Sequence, residues 1–254
     1  MEMLQDTYLD TFTKAISFDI ETALQTLQQS ANGGFDFLLE AGAVYSSRIE
    51  GNTMDLNSFM NTKTAAGPKP KEFQEIADLK STYDFARTHE LTEENFLHAH
   101  AMLSRLFVIE GNQGKYRQDK VGVFSSQGLV YMAVEPENVP EEMHRLFEAI
   151  SHVRGDSSDS HTALYYAAFA HLHLAHIHPF SDGNGRAARL LEKWVLSSQI
   201  GEKAWFIESE KYYWEHRQEY YDKINLGVNY YELDYSRALP FLHMLPEALH
   251  GKVE

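Results

Sequence analysis

The sequence contains no cysteine. That excludes disulfides, a thiol nucleophile and thiolate metal ligands. No apolar run approaches the ~20 residues a bilayer span needs, and the N-terminal stretch does not read as a signal peptide. Basic residues are in deficit: 22 Lys and Arg stand against 37 Asp and Glu, a formal net charge of −15. A field of that sign discourages nucleic-acid binding but leaves room for a local basic pocket. No internal repeat is evident. These absences lead to the expectation of a cytoplasmic protein that engages neither nucleic acid nor a membrane. Its 254 residues, 43% of them hydrophobic, suffice for one domain or a domain with a helical extension.

What is present concentrates in His178-Pro179-Phe180-Ser181-Asp182-Gly183-Asn184-Gly185-Arg186-Ala187-Ala188-Arg189. His161 to Ile177, upstream, lacks Pro and Gly and predicts a helix that Pro179 ends. Ala187 to Ile200 predicts a second helix. A glycine-containing turn feeding a helix start aims free backbone N–H groups at one point, which suits phosphate. Arg186, Arg189 and Lys193 recur at helical spacing and predict a shared basic face, with Leu190, Leu191, Trp194 and Val195 on a buried arc. An ordinary histidine titrates near about 6.5, so His178 is the candidate general base. Asp182 is the turn's only carboxylate and the candidate ligand of a magnesium ion.

The motif resembles the signature of the Fic family at every fixed position from His178 to Arg189. The resemblance implies an all-α, Fic-type helical core with a small β-hairpin flap. It implies a protein adenylyltransferase (an AMPylator) that moves AMP from ATP to a hydroxyl of a target protein. On that analogy His178 deprotonates the target, and Asp182 holds Mg2+. Gly183, Asn184 and Gly185 surround the α- and β-phosphates and Arg186 clamps them. Arg189 pairs with the γ-phosphate, and the Phe180 ring packs inward to fix the loop.

A second motif lies upstream. Phe35 to about Glu50 predicts a helix with Leu38, Ala41, Tyr45 and Ile49 on its apolar stripe, ended at Gly51-Asn52. Ser46 and Glu50 lie one turn apart, which alone describes a solvated helix edge. Ser46, Glu50 and Gly51 also match the Fic family's inhibitory motif. The resemblance implies that Glu50 pairs with Arg189 in the γ-phosphate's place, since a carboxylate and a phosphate compete for one guanidinium.

The remaining chain predicts support structure. Met1 to Ala31 reads as mostly helical, and Asn32-Gly33-Gly34 as a break. Asn61 to Pro70 reads as loop, dividing an N-terminal region (1–70) from a catalytic core (71–200) and a C-terminal helical extension (201–254). Thr92 predicts a helix start whose helix runs to about Phe107, carrying His98 and His100 as packing or surface residues. Gly114-Lys115-Tyr116-Arg117 is similar to a recurrent family element. Val121 to Phe124 and Leu129 to Val134 predict a hairpin. In the family this is the flap where an extended target segment docks, here through Gln127, Gly128 and Leu129. Pro140 to Ile150 predicts a helix, Ser151 to Ser160 a polar loop, Glu210 to Ile224 one helix, and Ala238 to Leu249 a last one.

Alternatives stay open. Glu50 allows the reverse reaction, AMP removal, and relatives transfer other phosphate-linked groups. A non-enzymatic helical interaction module would leave the motif's polar residues unused. A zinc hydrolase is disfavoured, because His171, His173 and His176 point in different directions on a helix. The target's identity is open, as are self-modification and homodimerisation.

Overall fold

Apolar side chains recur at helical spacing along most of the chain, and helices dominate accordingly. The computed structural model describes residues 3–29, 34–125, 128–155 and 159–250. In order the elements are α1 (Leu9–Ala15), α2 (Ile20–Gln29), α3 (Phe35–Ile49), α4 (Leu56–Thr64), α5 (Lys71–Thr88), α6 (Glu93–Leu103), β1 (Gly122–Ser125), β2 (Gly128–Met132), α7 (Val139–Gly155), α8 (Ser160–Ile177), α9 (Asn184–Ile200), α10 (Ser209–Glu215), α11 (Arg217–Ile224), α12 (Leu239–Leu242) and α13 (Met244–His250), with short 3₁₀ turns between some of them. Helix starts carry side-chain caps where the sequence supplies an oxygen. Asp55 accepts from Ser58 N at 2.7 Å, Thr92 from Asn95 N at 3.1 Å, and Asp159 from His161 N at 2.8 Å.

The centre is α8. From Ala163 to Leu174 every residue is buried, so this helix has no polar face. Its residues His171, His173 and His176 are therefore interior groups. His171 bonds Glu192 and Tyr220, His173 bonds Tyr235, and His176 bonds Tyr235 and the Ile224 carbonyl. One continuous core runs from Phe12 through Leu39, Ile76, Phe169 and Leu191 to Leu245, so the three sequence ranges share it. Among the described residues no helix is long and apolar enough to cross a membrane.

Several boundaries differ from the sequence expectation. The stretch 61–64 continues α4, and the loop shortens to residues 65–70. Residues 151–155 continue α7. The helix after Thr92 stops at Leu103 rather than near Phe107. The stretch 210–224 splits at His216, whose ψ of 36° leaves helical geometry. The last helix also divides, with Pro240 in the first turn of α12, where its missing N–H is harmless. Asn32 and Gly33 lie outside the described residues.

The hairpin is antiparallel, pairing Gly122 with Met132 and Val123 with Tyr131, then shifting register so that Phe124 pairs with Leu129. Tyr131 anchors it, its hydroxyl donating to the His176 carbonyl at 2.7 Å. Met132 N donates to Val228 O at 2.9 Å, so one end of β2 is covered by the C-terminal segment.

Candidate active site

His178 is the residue where α8 stops. It sits in the left-handed region at φ 51° and ψ 58°, a costly place for a residue with a Cβ. Arg117 holds it there. Arg117 Nε donates to the His178 carbonyl at 2.8 Å, and Arg117 N donates to the Pro179 carbonyl at 2.9 Å. The other guanidinium nitrogens reach the Asp119 and Val134 carbonyls, tying the turn after α8 to the base of the hairpin. The ring's Nδ1 lies 3.2 Å from the Ala175 carbonyl. A carbonyl only accepts, so Nδ1 carries the proton and Nε2 keeps its lone pair. Burial lowers the pKa below the ordinary 6.5, which keeps that lone pair free near neutral pH.

The turn is clipped by its own side chains. Asn184 Oδ1 accepts from Phe180 N at 2.9 Å, and Asn184 Nδ2 donates to Phe180 O at 2.8 Å. The Asn184 amide therefore shapes the turn, and only its backbone faces the helix start. Phe180 is fully buried and stacks on His100 with ring centroids 3.5 Å apart. His100 Nδ1 accepts from Gly114 N at 3.1 Å, and Nε2 donates to the Asp182 carbonyl at 3.0 Å. Burial pushes His100 down to about 4, so it stays neutral and keeps that directional pair. Asp182 is exposed, with Oδ1 accepting from Gly183 N at 2.6 Å.

Gly183 caps α9, so the helix begins at Asn184 rather than Ala187. Its first-turn N–H groups have no intrahelical acceptor and form the positive end of a seventeen-residue helix. Arg186 lies over the Phe107 ring at 3.9 Å. Its Nε and Nη1 are buried without a hydrogen-bond partner, and Nη1 comes only within 4.0 Å of Glu75. A buried guanidinium with idle donors is an anion site.

Arg189 is fully buried and each of its three nitrogens donates a hydrogen bond. Nε donates to Ser46 Oγ at 2.9 Å, Nη2 to Ser46 O at 3.0 Å and to Glu50 Oε1 at 2.7 Å, and Nη1 to the Tyr220 hydroxyl at 3.2 Å. Burial alone would raise the Glu50 pKa, but Arg189 outweighs it and holds the carboxyl below its ordinary value. Glu50 thus presents an anion at the start of α9. A Cβ built on Gly185 would lie 2.2 Å from Glu50 Oε1, so only glycine admits this approach.

The end of α3 is built to deliver that carboxylate. Gly51 N donates to Arg48 O and Asn52 N to Ser47 O, with Gly51 at φ 95°, the arrangement that ends a helix on glycine. Asn52 Nδ2 pins the end to the Glu72 carbonyl at 3.0 Å, and the Tyr221 hydroxyl donates to Ile49 O at 3.1 Å.

Ser46, Glu50, Gly185, Arg186 and Arg189 therefore meet at one place beside the turn that begins with His178. Lys193 does not join them. It lies one turn beyond Arg189, buried, where Nζ donates to Ile207 O at 2.6 Å and pairs with Glu210 at 3.1 Å. Its predicted place on the basic face is corrected: the next helix, α10, meets α9 at that depth. Gly128 and Leu129 stand on the hairpin, Leu129 half-exposed; Gln127 lies outside the described residues. Sequence reasoning missed His100 and Phe107 as neighbours of the site. Arg117 carried a signal through its family element, whereas His100 carried none beyond its helix.

A family model described as Fic/DOC family matches residues 90–196. The "Protein adenylyltransferase Fic" of Drosophila grimshawi is 34% identical over 163 residues, covering 60% of this chain and 32% of the relative. That of Culex quinquefasciatus is 32% identical over 194 residues, covering 72% and 36%. The chain thus spans about a third of the length of the curated relatives it matches. A crystal structure of a Fic family protein from Desulfovibrio desulfuricans G20 superposes with a TM-score of 0.74 at 23% identity, covering 96% of this chain and 71% of that one. At that identity the likeness speaks for the fold.

Proposed function

The chain belongs to the Fic/DOC family, and on that premise we propose that it is an ATP-dependent protein adenylyltransferase restrained by Glu50. The observation that carries the reading is Arg186, with two buried nitrogens that make no hydrogen bond, at the start of a helix that follows a deprotonated histidine nitrogen. An anion of several charges fits such a place, and a hydroxyl brought to His178 Nε2 loses its proton there. The target oxygen bonds to the α-phosphorus as the bridging oxygen to the β-phosphorus leaves with pyrophosphate, and His178 Nε2 takes the hydroxyl proton. The N–H groups at the start of α9 and the two arginines stabilise the charge that develops.

The residues fit a magnesium ion. Asp182 offers one exposed carboxylate, and magnesium commonly binds through one or two carboxylates plus substrate phosphates and water. When bound, the ion neutralises phosphate charge.

Glu50 takes a donor of Arg189 that a terminal phosphate would need, which supports an inhibitory role. The hairpin supports a docking role, because Arg117 and Tyr131 tie it to the end of α8 while Val123 and Leu129 stay exposed. The same site permits AMP removal, since Glu50 stays ionised beside it and can orient a water. The test is protein labelling with ATP radiolabelled at the α-phosphorus. Label should appear on protein, require magnesium and vanish in His178→Ala. Label arriving from the γ-phosphorus would mean a kinase and defeat the reading. Release of AMP from pre-modified target by the wild-type protein would favour removal.

A further inference from the structure

His171, Glu192, Tyr213 and Tyr220 are buried, come from four different helices, and have no task in the chemistry proposed above. They form a chain that ends on Arg189. Its direction follows from donor chemistry. A carboxylate oxygen accepts, so His171 Nδ1 donates to Glu192 Oε2 at 2.7 Å, and the Tyr213 hydroxyl donates to the same oxygen at 2.7 Å. His171 Nε2 then carries a lone pair, and the Tyr220 hydroxyl donates into it at 2.9 Å. The Tyr220 oxygen is left to accept, and Arg189 Nη1 donates to it at 3.2 Å. With an imidazolium at position 171, Tyr220 would have to accept from both sides and its own proton would lose its acceptor. Burial holds both phenols well above their ordinary pKa, so each keeps its proton.

The other contacts of Arg189 all come from α3, through Ser46 and Glu50. Tyr220 is the contact anchored outside that helix. We propose that Tyr220, backed by His171 and Glu192, is a positioning residue that keeps the Arg189 guanidinium aimed at the terminal phosphate of ATP once Glu50 has given way. Ser46 holds Nε and one Nη2 hydrogen and Tyr220 holds Nη1, so the Nη2 hydrogen that Glu50 takes is the one released to the incoming anion. Tyr220 cannot turn away, because its proton is committed to His171, and His171 is committed to Glu192. The same chain stitches α8 to α9 on both sides of the catalytic turn.

The inference rests on the proposed nucleotide site, and the test separates the two. ATP and ADP binding with magnesium are measured by calorimetry on Glu50→Gly protein, with and without Tyr220→Phe. The phenylalanine keeps the ring and removes only the hydroxyl. ATP affinity should fall about tenfold, the scale of one hydrogen bond to a charged group, and ADP affinity should hold within about twofold. In transfer assays KM for ATP should rise and kcat should hold. Glu192→Gln keeps the shape of the acid but lets His171 change tautomer. It should give the same ATP-selective loss in smaller measure, and it decides the matter if Tyr220→Phe does not fold. Equal losses for the two nucleotides, or none, would overturn the positioning role. Failure of the parent Glu50→Gly protein to bind either nucleotide would defeat the site itself.

Discussion

The turn from His178 to Arg189 and the hairpin from Gly122 to Met132 lie on either side of Arg117, and they are held in opposite ways. In the turn, Phe180 is stacked and clipped, the His178 carbonyl is grasped, and Arg189 is buried. In the hairpin, Tyr131 is sunk into the body while Val123 and Leu129 face solvent. A two-stranded ribbon has little stability of its own. The contrast suits the two tasks proposed for these regions. Phosphate chemistry needs donors fixed before the substrate arrives, whereas a docking strand needs an edge that a partner completes.

Substitutions can break that contrast or sharpen it. The largest effect is expected at His178→Ala, which should lower transfer about a thousandfold, the range for a lost general base, with nucleotide affinity nearly unchanged by calorimetry. Glu50→Gly should raise labelling by roughly ten- to a hundredfold, the worth of a charge-assisted pair. Unchanged labelling would remove Glu50 from regulation. Asn184→Ala should cost about 2–3 kcal/mol in chemical denaturation, because it orphans the buried Phe180 N–H and C=O. A cost near zero would mean that the turn is held elsewhere. On the hairpin, Leu129→Asp should lower target labelling a few-fold while ATP affinity and unfolding midpoint stay put. A drop in ATP affinity there would erase the division of tasks.

The smallest effect concerns pH. His178 must be neutral to accept a proton, and burial sets its pKa below 6.5. Protonation therefore removes activity only as pH falls through that lowered value. The half-maximal point of transfer should therefore fall below pH 6.5, which a pH–rate profile of the Glu50→Gly protein will check. A half-maximal point above the ordinary value would contradict the burial argument.

Legibility in the sequence followed distance along the chain. The helix of alanine, leucine and tyrosine into Ile177, its stop at Pro179 and a restart after the glycine turn were readable, because each is decided by neighbouring residues, although the restart comes at Asn184, three residues before Ala187. The glycine end of α3 was readable for the same reason. Lys193 was misread: its spacing from Arg189 is helical, but the choice between a phosphate site and Glu210 was made by where α10 packs. His100 looked like any helical histidine, yet it holds the turn after His178 through the Asp182 carbonyl and the Phe180 ring. The split at His216 was also invisible, and it accompanies Tyr220 at Arg189 and Tyr221 at the end of α3.

The sequence alone determined the local devices of the motif: a helix stopped at a proline, a glycine turn that opens the next helix with bare N–H groups, and the residue types that stand there. Backbone angles answer to side chains within a turn or two, so short-range order suffices for them. Tertiary structure decided which distant groups complete those devices. Glu50 reaches Arg189, His100 reaches the turn after His178, and Tyr220 reaches the same guanidinium only because the buried core brings their helices together. A buried charge must be paired, but which partner it meets is settled by packing.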